Sequence, residues 1–176
     1  MKKIIIVAIF LFSIGVSAQE INWLTFEEAI ALQKKEPKKI IMDFYAVWCG
    51  PCKMLDRYTF HNKDVANYIN EHFYAVKFNA EGNDTIQFKE RTFTNPDYDP
   101  RRAKTRNHPH ELSRFFQINA YPSILFLDES GKKINKLVGF KTPQQLEFYL
   151  KMYANDDHLG EQSERQLRKE FKSEFN

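Results

Sequence analysis

The chain has 176 residues, 43% of them hydrophobic and 28% charged, which suits one folded domain with room for an insertion and excludes disorder over its bulk. Its net charge is +3, and two of the lysines, Lys2 and Lys3, lie in an N-terminal segment that reads as a leader. Without that segment the charge falls to +1, too near neutrality to point to a nucleic-acid partner.

The leader is read over residues 1–18. Lys2 and Lys3 are followed by an apolar stretch from Ile4 to Val16, too short for a comfortable bilayer crossing, and Val16-Ser17-Ala18 puts small residues before Gln19. The pattern predicts a secretory signal peptide cleaved after Ala18 and export, with the bacterial periplasm as the expected location. An uncleaved N-terminal anchor is the alternative. No cysteine follows the site to carry a lipid.

Residues 19–153 read as the folded domain. Thr25-Phe26-Glu27-Glu28 has the spacing of a capping box and predicts a helix that stops before Pro37. Lys39–Ala46 is short, β-branched and aromatic, as a central strand buried on both faces would be. A helix is predicted from about Pro51, with Met54, Leu55 and Tyr58 inward, continuing helically through Asn62–Asn70. Phe73–Asn79 alternates as a strand. Glu111–Gln117 is a short helix candidate. Ser123–Asp128 and Lys133–Gly139 read as a hairpin around Glu129-Ser130-Gly131-Lys132. Thr142-Pro143-Gln144-Gln145 starts a last helix with Leu146, Tyr149, Leu150 and Tyr153 as its inner stripe. The order predicts an α/β fold with a central mixed β-sheet flanked by helices.

Two segments fall outside that pattern. Gly82–His110 is an insertion between the second core strand and the following helix. It contains three X-Pro pairs and the basic run Arg101, Arg102, Lys104 and Arg106, and Thr85–Thr94 could fold as a small hairpin around Ile86, Phe88 and Phe93. The expected state of the basic run is a solvated loop; a docking surface is the functional alternative. Residues 154–176 form a charged tail, either a short surface helix or frayed, with Leu167, Phe171 and Phe175 four residues apart.

The chemistry centres on Trp48-Cys49-Gly50-Pro51-Cys52-Lys53, which holds both cysteines of the chain. A disulfide between them closes a loop of four residues, which removes little entropy from the unfolded chain, so a stabilising role has little physical motive. A redox role has one. A thiol attacks as its thiolate, and Cys49 at a helix start meets unpaired N–H groups that favour negative charge and lower its pKa. Cys52, one turn further in, is expected to be the less exposed of the two. Cys49 would then form the mixed disulfide and Cys52 would resolve it. Zinc would need two further ligands, and none of His61, His72, His108, His110 and His158 has ligand spacing to the cysteines, so no metal is expected.

The stretch Asp43–Lys53 resembles the active-site strand and helix of the thioredoxin superfamily. Lys77-Phe78-Asn79, Tyr121-Pro122-Ser123 and Val138-Gly139-Phe140 resemble, in order, its next core strand, its cis-proline loop and the glycine before its last helix. The segment Lys53–Val65 is more similar to the periplasmic C-terminal domains of DsbD-type membrane reductant conductors than to cytosolic thioredoxins, and Arg57 stands where thioredoxins carry a helix-kinking proline. The resemblance implies a thioredoxin fold. It also implies roles. Asp43 would exchange a proton with Cys52, and Lys77 would modulate it. Trp48, Gly50, Pro51, Tyr121 and a cis Pro122 would contact the substrate. The bland alternatives are a strand-end carboxylate reaching water for Asp43, a solvated lysine for Lys77, plain packing for Trp48 and an ordinary turn for Pro122.

Taken together, the expected function is that of an exported thiol–disulfide oxidoreductase, acting as a reductase through a Cys49 mixed disulfide with no dissociable cofactor. Its expected partners are disulfide-containing proteins and a membrane electron donor, and the chain is expected to be monomeric. The rivals are an oxidase or isomerase of secreted proteins and a non-catalytic binding or assembly module.

Overall fold

The computed structural model describes residues 20–176; the leader and the cleavage after Ala18 lie outside the described residues. Five strands form one sheet in the order β1 (Trp23–Leu24), β3 (Phe73–Asn79), β2 (Lys39–Tyr45), β6 (Ser123–Leu127) and β7 (Lys133–Val138). β1 and β2 run parallel to β3, whereas β6 is antiparallel to β2 and β7 to β6. The mixed sheet is as expected, with the short edge strand β1 added. Among the described residues no helix is long and apolar enough to cross a membrane.

The period of two along β2 sorts the core. Ile40, Met42 and Phe44 face α1 (Phe26–Gln33) and α4 (Glu111–Phe115), packing with Phe26, Ala29, Leu112 and Phe116. Ile41 faces the other way, onto Leu55, Val65, Ile69 and Leu146 from α2 (Gly50–Leu55), α3 (Lys63–His72) and α5 (Pro143–Ala154). Asp43 shares the parity of Ile41 and so lies under α2. The capping boxes expected at Thr25 and Thr142 are both formed.

The path after α2 departs from the uninterrupted helical continuation expected there. A π-turn, Asp56–Phe60, follows α2, and a new helix starts at Lys63 with the Asn62 side chain accepting from Asp64 N and Val65 N at 3.0 and 3.1 Å. The extra residue in a π-turn rotates the side chains beyond it about the helix axis. Thr59 and Phe60 are therefore buried and Tyr58, expected inside, is exposed; Met54, also expected inside, lies in α2 before the turn and is exposed as well. Arg57 sits within this turn, at the place of the absent proline.

The insertion contributes to the core. β4 (Ile86–Phe88) and β5 (Arg91–Phe93) form the small hairpin, and Ile86, Phe88 and Phe93 are buried against Phe26 and Phe116. The tail is likewise packed. After α6 (Glu164–Glu170), Phe171 and Phe175 lie on the α3–α5 layer. That coverage is why Glu147, Phe148 and Met152 of α5 are buried beyond the expected stripe, while Tyr149 is only half-buried.

Candidate active site

The central strand β2 ends at Tyr45, and a tight turn brings Cys49 to the N-cap of α2, its N–H donating to Ala46 O at 3.0 Å. Pro51 stands in the first turn, where its missing N–H costs no helical hydrogen bond. Cys49 and Cys52 are joined as a disulfide, and the Cys52 N–H donates to Cys49 Sγ at 3.1 Å. The helix start thus turns a donor towards the sulfur that would carry thiolate charge.

Cys49 is not the exposed member of the pair: it is 2% exposed and Cys52 5%. Tyr45, Trp48 and Tyr121 pack around Ala46 and the two cysteines, and this aromatic collar removes the difference that the one-turn offset implies. Trp48 and Tyr121 meet edge to face at 6.1 Å. The peptide Tyr121–Pro122 is cis, as the resemblance implies. Gly50 and Pro51 face solvent, and a side chain at Gly50 would meet nothing. The collar brings Trp48, Tyr121 and the cysteines together; Gly50 and Pro51 form the outer lip.

Beneath the cysteines lies Asp43, 2% exposed, its Oδ1 without a hydrogen-bond partner among the described residues. Burial raises its pKa to about 7; Lys77 works against that shift and Asp56 adds to it. A pocket of about 150 Å³ opens here, lined by Asp43, Cys52, Lys53, Asp56 and Lys77 among others. It gives the buried carboxyl and the inner sulfur a common opening to water. The Lys77 ammonium is ion-paired with Asp56 and lies over the rings of Trp23 and Tyr45 at 5.2 and 5.7 Å.

Three residues of this neighbourhood were not singled out by sequence reasoning for a place at the site. Asp56 is one turn beyond Cys52 on the same helix, a spacing that could have drawn attention to it. Glu81 follows the end of β3; its Oε2 accepts from Trp48 Nε1 at 2.7 Å and from Asn107 N at 2.8 Å. Arg106, from the basic run, lays its guanidinium over the Trp48 ring at 4.4 Å. Nothing in a linear pattern joins Glu81 or Arg106 to Trp48; the folded insertion does.

The histidines divide without forming a centre: among the described residues no three His, Cys, Asp or Glu side chains group as metal ligands. His110 is a structural cap. Its Nδ1 accepts from Leu112 N at 3.0 Å, which leaves Nε2 to donate to Asp84 O at 2.7 Å.

Residues 26–154 match the family of thioredoxin-like domains. The chain is 30% identical over 138 residues to the thiol:disulfide interchange protein DsbD of Actinobacillus pleuropneumoniae, covering 73% of this chain and 20% of that protein. It is 29% identical to a thioredoxin of Mycoplasmoides gallisepticum, covering 65% of this chain and 83% of the relative. The chain spans about a fifth of the length of the DsbD proteins it matches. A thioredoxin-fold protein from Helicobacter pylori superposes with a TM-score of 0.61 at 20% identity, covering 76% of this chain and 79% of that one, a likeness of fold. A Bacteroides thetaiotaomicron protein provisionally assigned as a disulphide-isomerase superposes with a TM-score of 0.53 at 27% identity, over 84% of this chain and 99% of that one. With the mixed sheet, the capped disulfide and the buried carboxyl in place, the chain belongs to the thioredoxin-like family and carries the cysteine pair of a thiol–disulfide oxidoreductase.

Proposed function

We propose that this protein reduces disulfides in exported proteins, working outside the cytoplasm. The observation that carries the reading is the Cys49–Cys52 disulfide set at the start of α2 directly above the buried Asp43. In the reduced enzyme the Cys49 thiolate attacks one sulfur of a substrate disulfide, forms a mixed disulfide and releases the other sulfur as a thiolate. Asp43 takes the proton of the Cys52 thiol, and the Cys52 thiolate attacks Cys49 Sγ. The second substrate sulfur leaves, two electrons pass to the substrate, and the Cys49–Cys52 disulfide remains. Trp48, Tyr121 and Pro122 flank Cys49 and present the surface on which a substrate strand lies, with Gly50 and Pro51 as its lip. Lys77 modulates Asp43 through its charge. No dissociable cofactor enters the cycle.

Export rests on the leader pattern of residues 1–18. The similarity to part of DsbD, whose name states thiol:disulfide interchange, supports the exchange chemistry; an exported reductant also has to be recharged, and a membrane electron donor is the second partner this reading calls for. Replacing Cys52 by Ser tests the cycle. Cys49 should then hold substrates as mixed disulfides that resist exchange, and a Cys52→Ser protein that traps nothing while Cys49→Ser leaves every cellular activity unchanged would favour a non-catalytic binding module.

A second reading, disulfide isomerase, is favoured by the likeness to the Bacteroides protein. The reduction potential separates them. A value near the thioredoxin level of about −270 mV supports the reductase, and one at or above about −180 mV supports the oxidising direction.

A further inference from the structure

The basic run of the insertion is not a loose loop. Asn95 Nδ2 donates to Gly82 O and His108 O, both at 2.8 Å, tying the entry of the loop to its exit. Asn107 closes the middle: its Oδ1 accepts from Asp99 N at 3.0 Å and its Nδ2 donates to Asp99 O at 2.8 Å. Its own N–H is fixed to Glu81, the carboxylate that also holds Trp48. Asn95, Asn107 and Glu81 are all buried. Asn95 Oδ1 has no partner among the described residues, but the bonds that are made tie both ends and the middle of the loop, and the conformation they hold sets Arg106 against the indole beside Cys49.

Arg106 is held by its contact with the indole, the guanidinium carbon 4.4 Å from the ring centroid. It is exposed, and its guanidinium makes no hydrogen bond and no ion pair among the described residues. The carboxylates of the loop and collar are committed elsewhere: Glu81 to two N–H groups and Asp99 to Arg101. A guanidinium lying over an aromatic ring and hydrogen-bonded to nothing keeps its donors, arranged as a fork that matches a carboxylate in two parallel hydrogen bonds.

We propose that Arg106 is a specificity-determining residue that binds an Asp or Glu side chain flanking the target cysteine, so that this protein selects disulfides in acidic sequence surroundings. The proposal rests on the exchange reading of Cys49 and adds the chemistry of the segment it accepts. Arg102 and Lys104, exposed and without ion pairs among the described residues, extend the same positive rim and attract such segments at longer range.

The test compares two peptide disulfides of identical sequence in which the residues flanking the cysteine are Glu or Gln, with bis(2-hydroxyethyl) disulfide as a small neutral control. The wild-type protein should reduce the Glu peptide with a kcat/KM about tenfold higher than the Gln peptide, chiefly through KM, and added salt should shrink the ratio. In Arg106→Gln the ratio should fall to within about twofold. Arg106→Lys, which keeps charge but loses the fork, should fall between the two. A disturbance of Trp48 that merely slows the enzyme would lower both peptides together and leave the ratio intact. Equal rates in the wild type, or an undiminished preference in Arg106→Gln, overturns the assignment while leaving the exchange reading standing. Failure of the wild type to reduce all three disulfides overturns both.

Discussion

Asp43 and Lys77 are register partners on the neighbouring strands β2 and β3, yet the Lys77 ammonium pairs with Asp56 at the end of the active-site helix. The cation whose charge acts on the buried acid is therefore paired with a second carboxylate of the same pocket. Replacing Asp56 by Asn should free Lys77 and remove one negative charge, and both changes lower the pKa of Asp43 from about 7. Lys77→Met should raise it. In a pH–rate profile of disulfide exchange, the limb reporting Asp43 should move to lower pH in the first variant and to higher pH in the second. Identical limbs in both would mean that the Asp56–Lys77 pair does not act on Asp43.

The same burial makes Asp43 a cost to the fold. Its pKa is about 7 in the folded protein, against the ordinary 3.8. The folded state thus binds the proton more tightly, and unfolding releases it between those two values. Stability should fall as pH rises across that window and level off above it, by at most about 4 kcal/mol at 1.36 kcal/mol per pK unit. Asp43→Asn should remove this slope and stabilise the oxidised protein at pH 8 by a few kcal/mol, while slowing release of the Cys49 mixed disulfide by tenfold or more as the base is lost. Denaturant titrations of both proteins at pH 4 and pH 8 give the first number, and single-turnover exchange the second.

Strand β2, the N-cap cysteine and the inward Asp43 were legible because each follows from a local rule: a short β-branched run, a proline in the first helical turn, and alternation of side chains along a strand. The direction of Met54 and Tyr58 was not. A 3.6-residue period carried through Asp56–Phe60 points Tyr58 inward, and the π-turn breaks that period without a proline or glycine to mark it; Met54 precedes the turn and lies exposed on α2. The burial of Cys49 depends on Tyr121, which reaches it from 72 residues further along the chain. The fixed course of the insertion depends on buried asparagines that, in sequence, look like ordinary loop residues.

The tail is held by a carboxylate. Glu147 in α5 is fully buried and accepts from Ser173 Oγ, from Glu174 N at 3.0 Å and from Phe175 N at 3.1 Å, with Lys151 Nζ at 2.9 Å. Burial pushes its pKa up, but the Lys151, Ser173 and backbone donors outweigh it and bring the carboxyl below its ordinary 4.5. Its contribution is therefore complete above that value and is lost as acid takes the pH through the lower folded pKa. Glu147→Ala should cost about 2 kcal/mol or more, since it strands several charge-assisted donors. In a chain truncated before Phe171 the same substitution should cost far less. Thermal melts of the two single changes and their combination measure that non-additivity; additive losses would show that Glu147 does not act through the tail.

Glu81 is the point at which the insertion and the aromatic collar meet, because one oxygen accepts both the Trp48 indole and the Asn107 peptide N–H. Glu81→Ala leaves the buried Asn107 N–H without its acceptor, which should cost about 1–3 kcal/mol. It also removes the link that keeps Arg106 over the ring. Proteolysis within the segment from Asn95 to His108 should accelerate, and the Trp48 fluorescence should change along with it. Glu81→Gln keeps a side-chain oxygen able to accept both hydrogens, so it should stay within about 1 kcal/mol of the wild type and keep the loop protected. A loop that remains equally protected in Glu81→Ala would mean that Asn95 and the Asp99–Asn107 bonds hold it without Glu81. The insertion and Trp48 would then be neighbours rather than one unit.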